Sequence, residues 1–147
     1  MLPRSAAHLH RTAVSTAAAF LIFSVLIAES TDKSPVKCST TCAAENCDTI
    51  GIRYGKYCGV GWTGCAGEKP CDDVDACCQI HDDCVGMNGV INIQCHEEFK
   101  KCLKKVHISG KEGFSKACPY DTTIPTMIQG MDIAILLSQM GAPREDL

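Results

Sequence analysis

Cys77-Cys78-Gln79-Ile80-His81-Asp82-Asp83-Cys84 sets two cysteines, Cys77 and Cys84, seven residues apart, and Cys95 to Cys102 repeats the interval. Seven residues is about two turns of α-helix, so each pair lies along one helix face. The two intervals mirror each other across Met87-Asn88-Gly89. Antiparallel helices joined by a turn there bring Cys77 opposite Cys102 and Cys84 opposite Cys95, a hairpin stapled twice. Asp72 or Asp73 supplies a cap for the first helix, which should end near Gly86; Asn92 caps the second, which should end near Val106, before Ser109-Gly110. Only ten residues separate Cys84 from Cys95, too few for an inserted β-hairpin. Farther on, Pro125 to Met140 is apolar at Met127, Ile128, Met131, Ile133 to Leu137 and Met140, with Gly141 and Pro143 as stops; this predicts a third helix that completes the core, with an acyl-chain wall or membrane-contacting surface as the second reading. Between Lys33 and Tyr57, three cysteines and a short apolar segment predict no more than one helical turn. Strand signals are weak throughout, so the expected fold is all-α, small and disulfide-rich.

The compartment decides what the cysteines are for. Residues 1–30 begin with Arg4 and Arg11, continue through an apolar run from Ala13 to Ala28 and end in Ala28-Glu29-Ser30, the pattern of a cleaved secretory signal. Residues 31–147 then form one domain. All twelve cysteines of the 147-residue chain lie between Cys38 and Cys118, and an even count at that density in a secreted chain predicts six disulfides. The same context sets aside a structural zinc site built from Cys and His. The net charge of −3 offers no basic surface for nucleic acid. Lys100, Lys101, Lys104 and Lys105 cluster on the second helix, either as a solvated face or as a contact for anionic lipid.

His81 falls four residues after Cys77 and three before Cys84, so it shares the face that looks toward the second helix. Asp82 points one step round from it. A His beside an Asp puts a proton acceptor next to an oxygen ligand for a hard cation. The earlier segment Tyr54-Gly55-Lys56-Tyr57-Cys58-Gly59-Val60-Gly61-Trp62-Thr63-Gly64-Cys65 is rich in glycines, which let backbone carbonyls turn toward such an ion. No Gly-x-Ser-x-Gly elbow exists, and the cysteines are assigned to disulfides, so the nucleophile left to the chain is a water activated by His81. Trp62, the only tryptophan, reads equally as an interfacial anchor or a packed aromatic.

Together the Cys-Cys-x-x-His-Asp-x-Cys helix and the Gly-rich loop resemble the secreted phospholipase A2 family, in its compact plant-type branch. The resemblance implies calcium-dependent hydrolysis of the sn-2 ester of glycerophospholipids, releasing a lysophospholipid and a fatty acid. It implies calcium held by Asp82 and by the carbonyls of Tyr57, Gly59 and Gly61, a Gly59 amide donating to the oxyanion, and a Cys58–Cys78 disulfide. Cys38, Cys42, Cys47, Cys65, Cys71 and Cys118 remain with 15 possible connectivities. Where the family usually has a carboxylate to orient the catalytic His, after the first cysteine of the second helix, this chain has His96. His96, a water or no fixed group could serve, and Asp75 or Tyr54 are candidates that spacing does not place. A phospholipase-like binding module with little turnover is the alternative reading, and a disulfide-rich defence peptide or protease inhibitor would leave the His-Asp pair and loop unexplained. The expected partner is a phospholipid aggregate or membrane surface, met by a monomer outside the cell. The last four residues, Arg144-Glu145-Asp146-Leu147, faintly resemble an ER-retrieval signal and so keep ER or Golgi retention as a second location.

Overall fold

Three helices carry the fold of the described residues. In the computed structural model, which describes residues 36–141, α1 runs Asp73–Asn88, α2 Ile93–Ile108 and α3 Tyr120–Gly141. The predicted signal segment, Pro143 and the Arg144–Leu147 terminus lie outside the described residues. Asp72 caps α1 in an extended conformation, and its carboxylate accepts the Asp75 N–H at 3.0 Å. Asp73 and Asp75 in the first turn suit the positive end of the helix dipole. The helix outruns the expected stop at Gly86 by two residues, because Gly89, at φ +90°, is the residue that turns and sends its N–H back to the Val85 carbonyl. Asn92 caps α2 by accepting from the Cys95 N–H at 3.1 Å, and the helix continues past Val106 to Ile108, with Lys105 and His107 in its last turn.

The two helices form the expected antiparallel hairpin, with disulfides between Cys77 and Cys102 and between Cys84 and Cys95. α3 begins five residues before Pro125, the point from which the sequence pattern starts it, and runs through that proline. The Pro119 carbonyl accepts the N–H groups of Thr122 and Thr123, so the first turn is closed before the missing proline N–H matters. Ile124 and Met127 of α3 join Val74, Cys77, Phe99 and Leu103 in one core with Tyr54 and Tyr57.

The described part of the Lys33–Tyr57 segment, residues 36–57, departs from the reading above: it holds strands where one helical turn was expected. β1 (Lys37–Ser39) pairs in parallel with β4 (Trp62–Gly64), and β2 (Ala43–Glu45) pairs antiparallel with β3 (Arg53–Gly55). The fold is helical with two small sheets. Three-residue strands are too short to show a period of two, and what holds them extended is distant in sequence. Cys38 is tied to Cys65, Cys42 to Cys71 and Cys47 to Cys118, so each turn of this segment is pinned to a different part of the chain. No cysteine is free. No described helix is long and apolar enough to cross a membrane.

Candidate active site

The first turn of α1 organises the Gly-rich loop. Asp75 is fully buried, and its carboxylate accepts the backbone N–H groups of Lys56 (2.9 and 3.0 Å to its two oxygens), Tyr57 (2.9 Å) and Cys71 (2.9 Å). Gly55 makes this possible: at φ +66°, a Cβ there would lie 2.0 Å from the Asp75 carboxyl carbon. The Cys58–Cys78 disulfide and the Tyr57 hydroxyl, which donates to the Glu68 carbonyl and accepts from Gln79 Nε2 at 3.1 Å, complete the attachment. Tyr54 donates to Asp72 Oδ2 and packs between Phe114 and Tyr120. Asp75 and Tyr54, the two unplaced candidates, thus have their polar atoms engaged in the scaffold.

About two turns farther along α1 from Asp75, the adjacent His81 and Asp82 face a cavity of about 670 Å³. Tyr57, Gly59, Gly61, Trp62 and Thr63 of the loop line it, as do Phe99 and His96 of α2 and Met127, Met131, Ala134 and Leu137 of α3. The third helix therefore belongs both to the core and to this wall. Trp62 is half-buried at the cavity, with the Arg53 guanidinium 3.3 Å from its ring centroid and Lys37 Nζ at 5.5 Å. Of the lysine cluster, Lys100 is bound to Asp132 (2.7 Å) and Glu97 (3.3 Å), while Lys101, Lys104 and Lys105 are exposed.

Asp82 Oδ2 accepts the Thr63 hydroxyl at 2.9 Å. Burial pushes the Asp82 pKa up to about 6; the Thr63 bond offsets this in part, and the charges of Asp83 and Asp75 add to it. A largely desolvated carboxylate with only a hydroxyl for a partner is a site that favours a cation. The neighbouring glycines adopt positive φ, +142° for Gly59 and +77° for Gly61. Their carbonyls accept from Trp62 N (3.1 Å) and Lys37 N (3.0 Å), and each oxygen keeps a second lone pair. Among the described residues no three His, Cys, Asp or Glu side chains gather as a metal site. A metal here would thus be held chiefly by backbone oxygens, which fits a hard cation such as calcium.

His81 stacks on Phe99 with ring centroids 4.7 Å apart, and its Nε2 lies 3.0 Å from Nδ1 of His96. His96 Nε2 lies 3.1 Å from the Val90 carbonyl oxygen. Burial, and then the proximity of His96, lowers the His81 pKa to about 4, so the ring is neutral at ordinary pH. Of the residues singled out from sequence, His81, His96, Asp82, Tyr57, Gly59 and Gly61 come together. Thr63, Phe99 and Val90 were missed. Thr63 lies within the quoted loop, but a hydroxyl at one strand position carries no linear signal of the carboxylate it will meet.

No protein-family model matches the chain. Curated relatives do. It is 55% identical over 122 residues to the "Probable phospholipase A2 homolog 1" of Oryza sativa subsp. japonica, covering 83% of this chain and 88% of that one. It is 52% identical over 133 residues to "Phospholipase A2-beta" of Arabidopsis thaliana, covering 85% and 88%. Among solved structures, rice phospholipase A2 matches with a TM-score of 0.63 at 34% identity, over 70% of this chain and 86% of that one. The same rice enzyme in complex with octanoic acid matches with a TM-score of 0.63 at 36% identity, over 70% and 91%. The helical hairpin, the loop clamped to its first turn and these identities over most of both chains lead to one conclusion: the chain belongs to the phospholipase A2 family, alongside its plant members.

Proposed function

We propose that this protein, a phospholipid-hydrolysing enzyme by family, cleaves the sn-2 ester of glycerophospholipids in a calcium-dependent reaction outside the cell, at the surface of a phospholipid aggregate or membrane. One observation carries the reading: His81, Asp82 and the Gly59–Gly61 segment open into the same cavity as the apolar wall of α3. A reacting ester and its acyl chain can thus be accommodated together, and the related rice structure with octanoic acid supports a fatty acyl occupant. Asp82 and the carbonyls of Tyr57, Gly59 and Gly61 would hold the ion. Bound calcium would supply polarisation of the ester carbonyl and a counter-charge for the oxyanion.

The chain's own residues do the rest. His81, neutral because it is buried, takes a proton from water as the oxygen attacks the ester carbonyl. The Gly59 N–H donates to the oxygen that gains charge. His81 then returns the proton to the departing glycerol oxygen. Phe99 fixes the plane of the His81 ring by stacking, and the α3 side chains keep bulk water from the acyl chain. Six disulfides suit folding in an oxidising compartment, which supports secretion.

The test is fatty-acid release from phospholipid vesicles with and without EGTA, with sn-1 and sn-2 labels distinguished. Release of the sn-2 chain, abolished by EGTA and by His81→Gln, is the expected outcome. Vesicle binding without release would point to a lipid-binding module instead.

A further inference from the structure

His96 is 3% exposed, and its two ring nitrogens meet different partners, the Val90 carbonyl at Nε2 and His81 Nε2 at Nδ1. A carbonyl oxygen only accepts, so the 3.1 Å contact to Val90 requires a hydrogen on His96 Nε2. A neutral imidazole has one N–H, and His96 hydrogen-bonds no carboxylate that would hold a second proton. Its Nδ1 therefore presents a lone pair. The hydrogen in the 3.0 Å contact between the rings must then belong to His81 Nε2. That assignment leaves Nδ1 of His81 without a hydrogen.

We propose that the Val90 carbonyl, acting through His96, sets the tautomer of His81, so that Nδ1 of His81 is the atom that takes the proton from water. His96 is a positioning residue that works as a neutral acceptor, where the related enzymes' usual device is an anion. The third member of the relay is the backbone of the turn between α1 and α2, not a side chain. When water loses a proton to Nδ1, its O–H bond breaks and an N–H bond forms. The ring becomes an imidazolium that still donates from Nε2 to His96, and the Nδ1 proton leaves with the departing alkoxide, which restores the starting state. The imidazolium charge is shared with a polarisable ring and a peptide dipole. The inference rests on His81 being the base, which His81→Gln tests separately.

The wild-type protein labelled with ¹⁵N in its histidines, calcium-free at about pH 7.5, reports the tautomers directly by long-range ¹H–¹⁵N correlation. Expected are a bare Nδ1 in both His81 and His96, with hydrogen on both Nε2 atoms; hydrogen on His81 Nδ1 overturns the proposal. Two variants add a kinetic arm. His96→Leu fills the space without an acceptor, leaves the tautomer mixed and should lower kcat about 10- to 100-fold with KM little changed. His96→Asn keeps an oxygen near the position of Nδ1 and should recover most of that loss together with the wild-type His81 signature. Wild-type kcat and tautomer in His96→Leu would refute the relay, and if that variant does not fold the wild-type spectrum still decides. Loss of the relay with His81→Gln still inactive would leave the base assignment standing, whereas full turnover in His81→Gln would remove the base itself.

Discussion

Asp82 is the one carboxylate in the proposed calcium shell, so the ion should bind weakly, with a dissociation constant on the order of 10⁻⁴ to 10⁻³ M as in extracellular modules. Asp82→Asn should remove calcium binding by calorimetry and turnover together, while leaving the helical circular dichroism unchanged. Retained turnover in that variant would place the ion elsewhere. The two shifted groups of the site also separate two acid effects. His81 must be neutral to act, and its pKa lies near 4, so with saturating calcium its activity should persist well below the ordinary histidine pKa of about 6.5. Asp82 must be ionised to hold the ion, and its pKa lies near 6, so with limiting calcium the acid limb should rise toward that value as protons compete with the metal. Rate profiles at two calcium concentrations check this, and a limb at about 6.5 in both would contradict it. The inward face of His81 was legible from helical spacing, and its pairing with Asp82 from the resemblance of the motif. Thr63 and Val90 were not, because a hydroxyl and a carbonyl become specific only when folding brings a partner to them.

At the level of elements, the joint between α1 and the loop is the part most exposed to substitution. The Asp75 carboxylate is ringed by backbone N–H donors. Asp75→Asn would turn one acceptor into a donor facing another donor, and should cost about 3 kcal/mol in denaturant unfolding. Calcium affinity should fall with it, because the loop loses its anchor to the helix that carries Asp82. Gly55→Ala meets the same carboxylate from the loop side and should weaken both quantities in the same direction. The caps were readable as Asn92 for α2 and as Asp72 or Asp73 for α1, since capping is a local hydrogen bond; the structure decides for Asp72. The four short strands were not, because they are held by pairing and by bridges to residues far along the chain.

For the molecule as a whole, stability depends on cross-links as much as on core, since aromatic residues make up only 5% of the chain. The bridges should differ in weight. Cys47–Cys118 spans a sequence separation of 71 and Cys84–Cys95 one of 11, so on loop-closure entropy their removal as double serine variants should cost about 4 and about 3 kcal/mol. Thermal unfolding of the two variants checks the order, and a larger loss for the short loop would show that native contacts, not chain entropy, dominate. The hairpin bridges could be proposed from spacing because helical periodicity converts sequence distance into a face. The pairing of Cys38 with Cys65, Cys42 with Cys71 and Cys47 with Cys118 could not, because irregular chain has no such ruler. By itself, then, the sequence determined the stapled hairpin, the cap of α2 and the inward face of His81, all products of local geometry. Only tertiary structure decided where Asp75 binds, which face of α3 meets the site and which atom of His81 is left bare, since each depends on a backbone group or side chain brought from another element.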